Sequence, residues 1–301
     1  MIALATAAGF VRSLSSAGSI VLGAYTLHPG AVLDALAAAA RRGADVRVRL
    51  EGDPLDDAAG SLHRANARAL AVLRAAGARA GLTAPGEPTL HMKAAVVDGV
   101  AWLDGRNWGG GGAEPIVRDS AAPDVAAIAA ALAGRPGSGR RLATTKAGAQ
   151  RLEAGVIERA GTGRLCVESE SFGNGPIYAA LLRRARAHLP TRLIVAGREA
   201  GERGDRLERA HLAHLAALGV AVRTGDPRRG DLDDKLAAGE REAWAGSANA
   251  TYARGAAGAQ RDWGLTTNAS AACAGLRAAF EHNWARAEPL AGSGGVSGKT
   301  G

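Results

Sequence analysis

The stretch Thr89-Leu90-His91-Met92-Lys93-Ala94-Ala95-Val96-Val97-Asp98 carries the reading of this chain. A histidine and a lysine two residues apart open an apolar run that reads as a strand. The two-residue period of a strand then aims both side chains to one side of a sheet, where they can meet one phosphate. After a short hairpin comes Trp102-Leu103-Asp104-Gly105-Arg106-Asn107-Trp108, a second strand ending in a Gly-x-Asn turn. The backbone and amide of such a turn suit a phosphoryl oxygen.

Outward from this segment the chain alternates. Ser19 to Leu27 reads as a buried strand, Val32 to Arg42 as a helix closed by Gly43, Asp45 to Leu50 as a strand with one wetter face, and Ser61 to Ala76 as a helix stopped by Gly77. The same order returns beyond the middle. Arg164 to Ser171 and Arg192 to Ala196 read as strands, Ile177 to His188 and Leu207 to Leu218 as helices, the last stopped by Gly219. Repetition at an offset near 142 to 145 residues marks an internal duplication. It divides the chain into a first half at 1–134, a linker at 135–150, a second half at 151–290 and a Gly/Ser-rich tail at 291–301. The apolar start, Met1 to Leu14, reads as a first helix.

Shifting the motif by 142 residues places Asp233-Asp234-Lys235 through Glu240 on it, and Gly246-Ser247-Ala248-Asn249 on Asp104 to Asn107. The lysine and the asparagine recur; the histidine does not. Asp233 stands in its place, and Glu240 where the first copy has Asp98. An acidic residue follows each turn, Asp119 in the first copy and Asp262 in the second.

The pattern His-x-Lys-x4-Asp followed by a Gly-Ser-x-Asn-like turn, in two copies, resembles that of the phospholipase D superfamily. The resemblance implies an α/β fold: a duplicated phospholipase D-like domain, each half a mixed, mostly parallel sheet with helices on both faces, and one site between the halves. It implies a phosphodiester hydrolase or phosphatidyl transferase working through a phosphohistidine on His91, with a phospholipid as substrate. Lys93, Lys235, Asn107 and Asn249 become the phosphate clamp, Ser247 adds a hydroxyl donor, and Asp98 and Glu240 complete the two motifs. A carboxylate after the turn orients the motif histidine, which makes Asp119 the expected partner of His91 and Asp262 its counterpart in the second copy. The scheme needs no metal and no cofactor.

With no second histidine, the acid's role falls to Asp233, a carboxyl ordinarily ionised at neutral pH. Loss of a working acid costs on the order of 10² to 10⁴ in rate. One competing reading is a module that holds a phosphorylated ligand without cleaving it. Another is a nuclease of the same superfamily. A formal charge of +8 suits a phosphodiester substrate, nucleic acid or peripheral contact with an anionic membrane, and chooses among none of them. Aromatic residues at 4% offer few stacking platforms for single strands.

Cys166 and Cys273 fit neither a disulfide scaffold nor a zinc site. His211 and His214 have metal-like spacing but no acidic or Cys companion, and Gly109 to Gly112 read as a flexible connection at the rim of the site. Trp102 and Trp244, at matched positions, read as core. With no leader-like basic segment and no apolar run of roughly 18 to 20 residues, the expectation is a cytoplasmic protein. Both halves of the site lie in one chain, so the expected state is a monomer.

Overall fold

Thr6 and Thr145 open equivalent helices in the two halves, and each does so through its side chain. The Thr6 hydroxyl accepts from Gly9 N at 3.1 Å and the Thr145 hydroxyl from Gly148 N at 3.2 Å. Each thus satisfies a backbone donor that the first helical turn leaves without a partner. The computed structural model describes residues 1–55, 57–108, 115–196, 203–225, 232 and 234–290. In the first half the order is β1 (Ile2–Ala5), α1 (Ala7–Ser16), β2 (Ser19–Ala24), α2 (Ala31–Arg41), β3 (Asp45–Leu50), α3 (Ser61–Ala75), β4 (Arg79–Leu82), β5 (Lys93–Val97), β6 (Val100–Asp104), β7 (Ile116–Asp119) and α4 (Ala122–Leu132). The second half repeats it as β8 (Leu142–Ala143), α5 (Lys146–Arg159), β9 (Leu165–Ser169), α6 (Pro176–Arg186), β10 (Thr191–Val195), α7 (Arg203–Ala217), β11 (Ala221–Thr224), β12 (Leu236–Ala238), β13 (Ala243–Gly246), a short α8 (Gly255–Ala259), β14 (Gly264–Thr267), α9 (Ser270–Arg286) and β15 (Glu288–Pro289).

Gly77 and Gly219, the stops read from sequence, sit at φ of 94° after α3 and α7, a left-handed conformation that a side chain would strain. Two sequence readings change. The apolar start is not one helix: Ile2–Ala5 is a strand paired antiparallel with β7, and the helix begins only after the Thr6 cap. A four-residue apolar run does not distinguish strand from helix, and the sheet edge offered by β7 decides it. The segment taken as linker is partly structural, because Leu142–Ala143 pairs with β14 and α5 starts at Lys146. The second copy therefore opens at β8, as the first opens at β1. The tail at 291–301 lies outside the described residues.

Among the described residues the strands form two sheets, ordered β1-β7-β6-β5-β2-β3-β4 and β15-β11-β10-β9-β12-β13-β14-β8. Both are mixed, as expected. The mostly parallel character holds only for β2-β3-β4 and β9-β10-β11, which the α-helical crossovers connect. The remaining pairs, built from hairpins such as β5-β6 and β12-β13, are antiparallel. Helices cover both faces. On the outer face of the first sheet α2 and α3 bury Leu33, Leu36, Leu70 and Leu73 against Ile20, Leu22, Val46 and Val48. An equivalent outer core in the second half gathers Val156, Ile157, Leu181 and Leu215 on Leu165, Val167 and Leu193. Between the sheets lies a third core, in which Ile128 and Leu132 of α4 and Leu276 and Phe280 of α9 meet Met92, Leu103, Leu236 and Trp263. Trp102 and Trp244 are buried, in keeping with their reading as core. No helix among the described residues is long and apolar enough to cross a membrane.

One buried group opposes this packing. Glu153 on α5 is 1% exposed, and neither carboxylate oxygen has a hydrogen-bond partner. Burial pushes its proton affinity well above the ordinary carboxyl value, so the folded chain favours the neutral acid. A raised folded pKa means that stability falls as pH rises above the unfolded value, until the folded group itself ionises. Glu153→Leu is expected to raise unfolding free energy by about 1–3 kcal/mol at pH 7 to 8, with a smaller gain at pH 4. Urea titrations at the two pH values check both the sign and the trend.

Candidate active site

The segment Thr89 to Lys93 enters β5 across the sheet ends where β2 and β3 finish. Leu90, Met92 and Ala94 belong to the central core, so the alternate positions His91 and Lys93 face the other way, as the two-residue period requires. The segment is held on both sides. Buried Glu51, just past β3, accepts from Leu90 N as well as from Asp53 N at 2.8 Å and the Thr83 hydroxyl at 3.0 Å. From the second half, Arg261 O accepts from His91 N at 2.9 Å, and Arg261 N donates to Thr89 O at 2.8 Å. Arg261 also pairs with Glu87 at 2.9 Å, and Trp263 Nε1 donates to Asp104 O at 2.9 Å. Residues 261–263 of the second half are thus stitched onto the first.

This stitching delivers the carboxylate that meets His91. His91 Nδ1–H donates to Asp262 Oδ1 at 2.8 Å, and Lys93 Nζ donates to Nε2 at 3.0 Å, an assignment fixed by the partners. The Tyr25 ring lies edge-on to the imidazole at 5.2 Å, and the Lys93 ammonium is 5.7 Å from the Tyr25 ring centre. The His91 side chain remains 14% exposed. Burial and then the neighbouring Lys93 charge lower its pKa below the ordinary imidazole value, and Asp262 opposes them. Burial disfavours the charge on Asp262, but His91, Lys93 and the Ser247 hydroxyl outweigh it and keep the carboxyl below its ordinary value. The pair is therefore a neutral imidazole with one defined tautomer and an ionised carboxylate behind it, which leaves the Nε2 lone pair facing the Lys93 ammonium.

Asp119, expected as the partner of His91, is elsewhere. It is buried at the far end of β7, where its carboxylate accepts from Arg141 at 2.8 and 3.1 Å and from Ala121 N at 3.0 Å. Strand register explains the error. Leu103 and Ala245 keep the motif offset of 142 residues, but their partners Val117 and Leu265 lie 148 apart. The longer second-half loop, which carries α8, shifts everything beyond it, so Asp119 corresponds to Thr267. The counterpart of Asp262 is position 114, outside the described residues.

Asp98 and Glu240 also leave the site. Each lies five positions from its motif lysine, roughly 16 Å of strand. Asp98 is exposed and caps the start of β2, accepting from Ser19 N at 2.9 Å and Gly18 N at 3.2 Å. Glu240 is exposed in the β12–β13 hairpin beside Gly163, the matching loop of the second half. Asp98 thereby fastens its hairpin to the start of β2. Ser247 is fully buried and donates to Asp262 Oδ1 at 2.8 Å while accepting from Trp263 N at 3.0 Å. Its hydroxyl orients the carboxylate and is not available to a phosphate.

Lys235 and Asn249 do converge. Lys235 is buried at the start of β12 and close enough to His91 to lower its proton affinity. Its ammonium lies 3.3 Å from Glu170 Oε2, and the Asn249 amide donates to the same oxygen at 3.0 Å. Asn107 Oδ1 accepts from Thr26 N at 3.3 Å in the equivalent turn of the first half. Asp233 and Gly109 to Gly112 lie outside the described residues. Sequence reasoning missed Tyr25, Glu170 and the buried pair Glu168 and Asp234, which share Asn283 Nδ2 at 2.9 and 3.1 Å. Acidic residues at Glu168 and Glu170 that end an otherwise apolar strand were the available signal. Among the described residues no cluster of three His, Cys, Asp or Glu can hold a metal, and His211 and His214 flank the Tyr178 ring instead.

Nitrogen-15 NMR of the imidazole is expected to show His91 as the Nδ1–H tautomer at pH 7, with protonation below the ordinary midpoint of about 6.5. Because Asp262 raises the imidazole pKa, Asp262→Asn should move that midpoint lower still and mix the tautomers. Asp119→Asn should move neither. A His91 signal that follows Asp119 and ignores Asp262 contradicts the assignment.

No family model and no curated protein matches the sequence. Solved structures do match. A polyphosphate kinase from Porphyromonas gingivalis superposes over 94% of this chain with a TM-score of 0.63 and 18% identity; the chain spans 50% of that protein's length. A phosphatidylserine synthase from Haemophilus influenzae superposes over 95% of this chain and 85% of its own, with a TM-score of 0.62 and 11% identity. Nuc from Salmonella typhimurium, a phospholipase D family member, aligns with 46% of this chain and 89% of its own at a TM-score of 0.39 and 19% identity. With two mixed sheets joined through a shared core and matched over nearly its whole length, the chain has the duplicated phospholipase D-like fold.

Proposed function

We propose that the chain cleaves phosphodiesters through a covalent phosphohistidine on His91. The observation that carries this reading is the His91 imidazole itself. It is neutral and locked by Asp262 from the other half, with Nε2 turned toward Lys93. A structural histidine has no need of a lysine ammonium on its second nitrogen. A nucleophile that must meet an anionic phosphate does, because the same ammonium moves onto a phosphoryl oxygen as Nε2 attacks. Lys235 and Asn249 supply the second half of the clamp, and Asn107 the turn opposite. Nε2 forms the P–N bond, the P–O bond to the leaving group breaks, and water or an acceptor alcohol then displaces the imidazole.

The substrate class we propose is a phospholipid diester. A clamp of two lysines and two asparagines reads the phosphate alone and leaves the ester arms to the surrounding surface. The phosphatidylserine synthase of the same fold makes phospholipids the first diesters to test. Sequence reading points to Asp233 for the proton donor, a residue that lies outside the described residues.

The chain is expected to release p-nitrophenol from bis(p-nitrophenyl) phosphate and head group from phosphatidylcholine or phosphatidylserine vesicles. An acid-labile phospho-adduct should be trapped on His91. His91→Ala should abolish turnover and adduct, a loss of at least about 10³. Activity requires neutral His91, so it should fall as pH drops through the lowered imidazole pKa, below about 6.5. Asp262→Asn should cost about 10² or more through loss of the tautomer. If phosphate esters bind with equal affinity to the wild type and to His91→Ala, and neither protein cleaves any diester, the chain is a binding module instead.

A further inference from the structure

Within the reaction proposed above, on which this inference rests, we infer that Glu170 is the proton donor and acceptor that stands in for the absent second histidine. Strand register places it. Gly23 lies opposite Ala94 and Glu168 opposite Leu236, and Ala94 and Leu236 are equivalent positions one residue after the motif lysines. Two residues further along each strand, Glu170 is the counterpart of Tyr25. Tyr25 flanks the first motif, against His91 and Lys93. Glu170 flanks the second motif in the same way, against Lys235 at 3.3 Å. It is 24% exposed, so a substrate in the clamp can reach it.

The contacts of Glu170 make its protonation depend on substrate. A single oxygen, Oε2, takes the Lys235 ammonium and the Asn249 amide, the two groups proposed to hold a phosphoryl oxygen. In the free protein the carboxylate occupies both of these donors. A phosphodiester that enters the clamp takes over both donors and places a negative charge beside the carboxylate. Both changes raise proton affinity. The surrounding charges act in two directions. Lys235, close enough to His91 to lower its proton affinity, links Glu170 to the imidazole of the first half, while Glu168 and Asp234 share Asn283, Glu168 about 7 Å back along the same strand. Those two carboxylates add to the preference for a neutral Glu170 once Lys235 is engaged elsewhere.

The chemistry balances on this one group. As Nε2 of His91 bonds to phosphorus and the P–O bond breaks, the departing oxygen takes the Glu170 proton and leaves as an alcohol. The resulting carboxylate then takes a proton from water as its oxygen bonds to phosphorus and the P–N bond breaks. Glu170 ends the cycle protonated, and releases its proton when the phosphate leaves and Lys235 returns.

Glu170→Gln removes the proton and keeps the shape. With bis(p-nitrophenyl) phosphate it is expected to give a burst of one p-nitrophenol per site, followed by turnover slowed about 10² to 10⁴-fold, while phospho-His91 accumulates. The burst itself shows that the variant is folded and that its nucleophile works. With a phospholipid or other alkyl diester, whose leaving group needs a proton, adduct formation should also fall about 10² to 10⁴-fold. Inorganic phosphate should inhibit the variant at lower concentration than the wild type, because a competing carboxylate is gone. Equal or faster turnover of both esters by Glu170→Gln overturns the inference and makes Glu170 a mere competitor for the clamp. So does an equal loss on both esters without a burst, or a leaving-group-dependent loss in Asp233→Asn in place of Glu170→Gln. A wild type that forms no adduct sinks the phosphohistidine reading itself, which is a separate outcome.

Discussion

The hydrogen bond between His91 and Asp262 spans the two halves of the chain, and the geometry of the site depends on it. Its donor belongs to the first repeat and its acceptor to the second. A buried carboxylate placed there is costly unless it is paired, and here the imidazole and the Ser247 hydroxyl both donate to its Oδ1 while Oδ2 is buried without a hydrogen-bond partner. The remaining cross-half contacts fix that register: the backbone exchange between Arg261 and residues 89–91, the Arg261–Glu87 ion pair and the Trp263–Asp104 hydrogen bond. Beneath them, α4 and α9 fill one core shared by both sheets. The halves are therefore not two domains that happen to touch, because the histidine of one is tuned by the carboxylate of the other.

The duplication has diverged unevenly. The first copy keeps an imidazole between Tyr25 and Lys93. The second keeps the lysine and the asparagine but surrounds them with carboxylates: Glu170 on the clamp, and Glu168 with Asp234 on Asn283. A site whose basic groups face an ion-paired acid on one side and a neutral histidine on the other is chemically asymmetric.

Much of the fold was legible. The alternation of strands and helices, the Gly77 and Gly219 stops and the two-residue spacing of His91 and Lys93 are local, and they follow from periods of 3.6 and 2 residues. What failed in the reading was non-local. Ile2–Ala5 is a strand because β7 offers it an edge. Asp98 and Glu240 match the motif in spacing but sit a strand's length from its lysines. Ser247 matches a phosphate-binding turn, yet its hydroxyl is turned inward to a carboxylate. Asp119 was paired with His91 by counting along a single offset, and the longer loop that carries α8 breaks the count.

The sequence by itself determined the α/β architecture and the duplication, since both rest on residue type and spacing along the chain. Tertiary structure alone decided which carboxylate orients His91 and which one occupies the clamp of the second half. Asp262 reaches His91 only when the halves close on a common core, and Glu170 reaches Lys235 because β9 pairs with β12 inside the second sheet; neither meeting is written in the spacing along the chain.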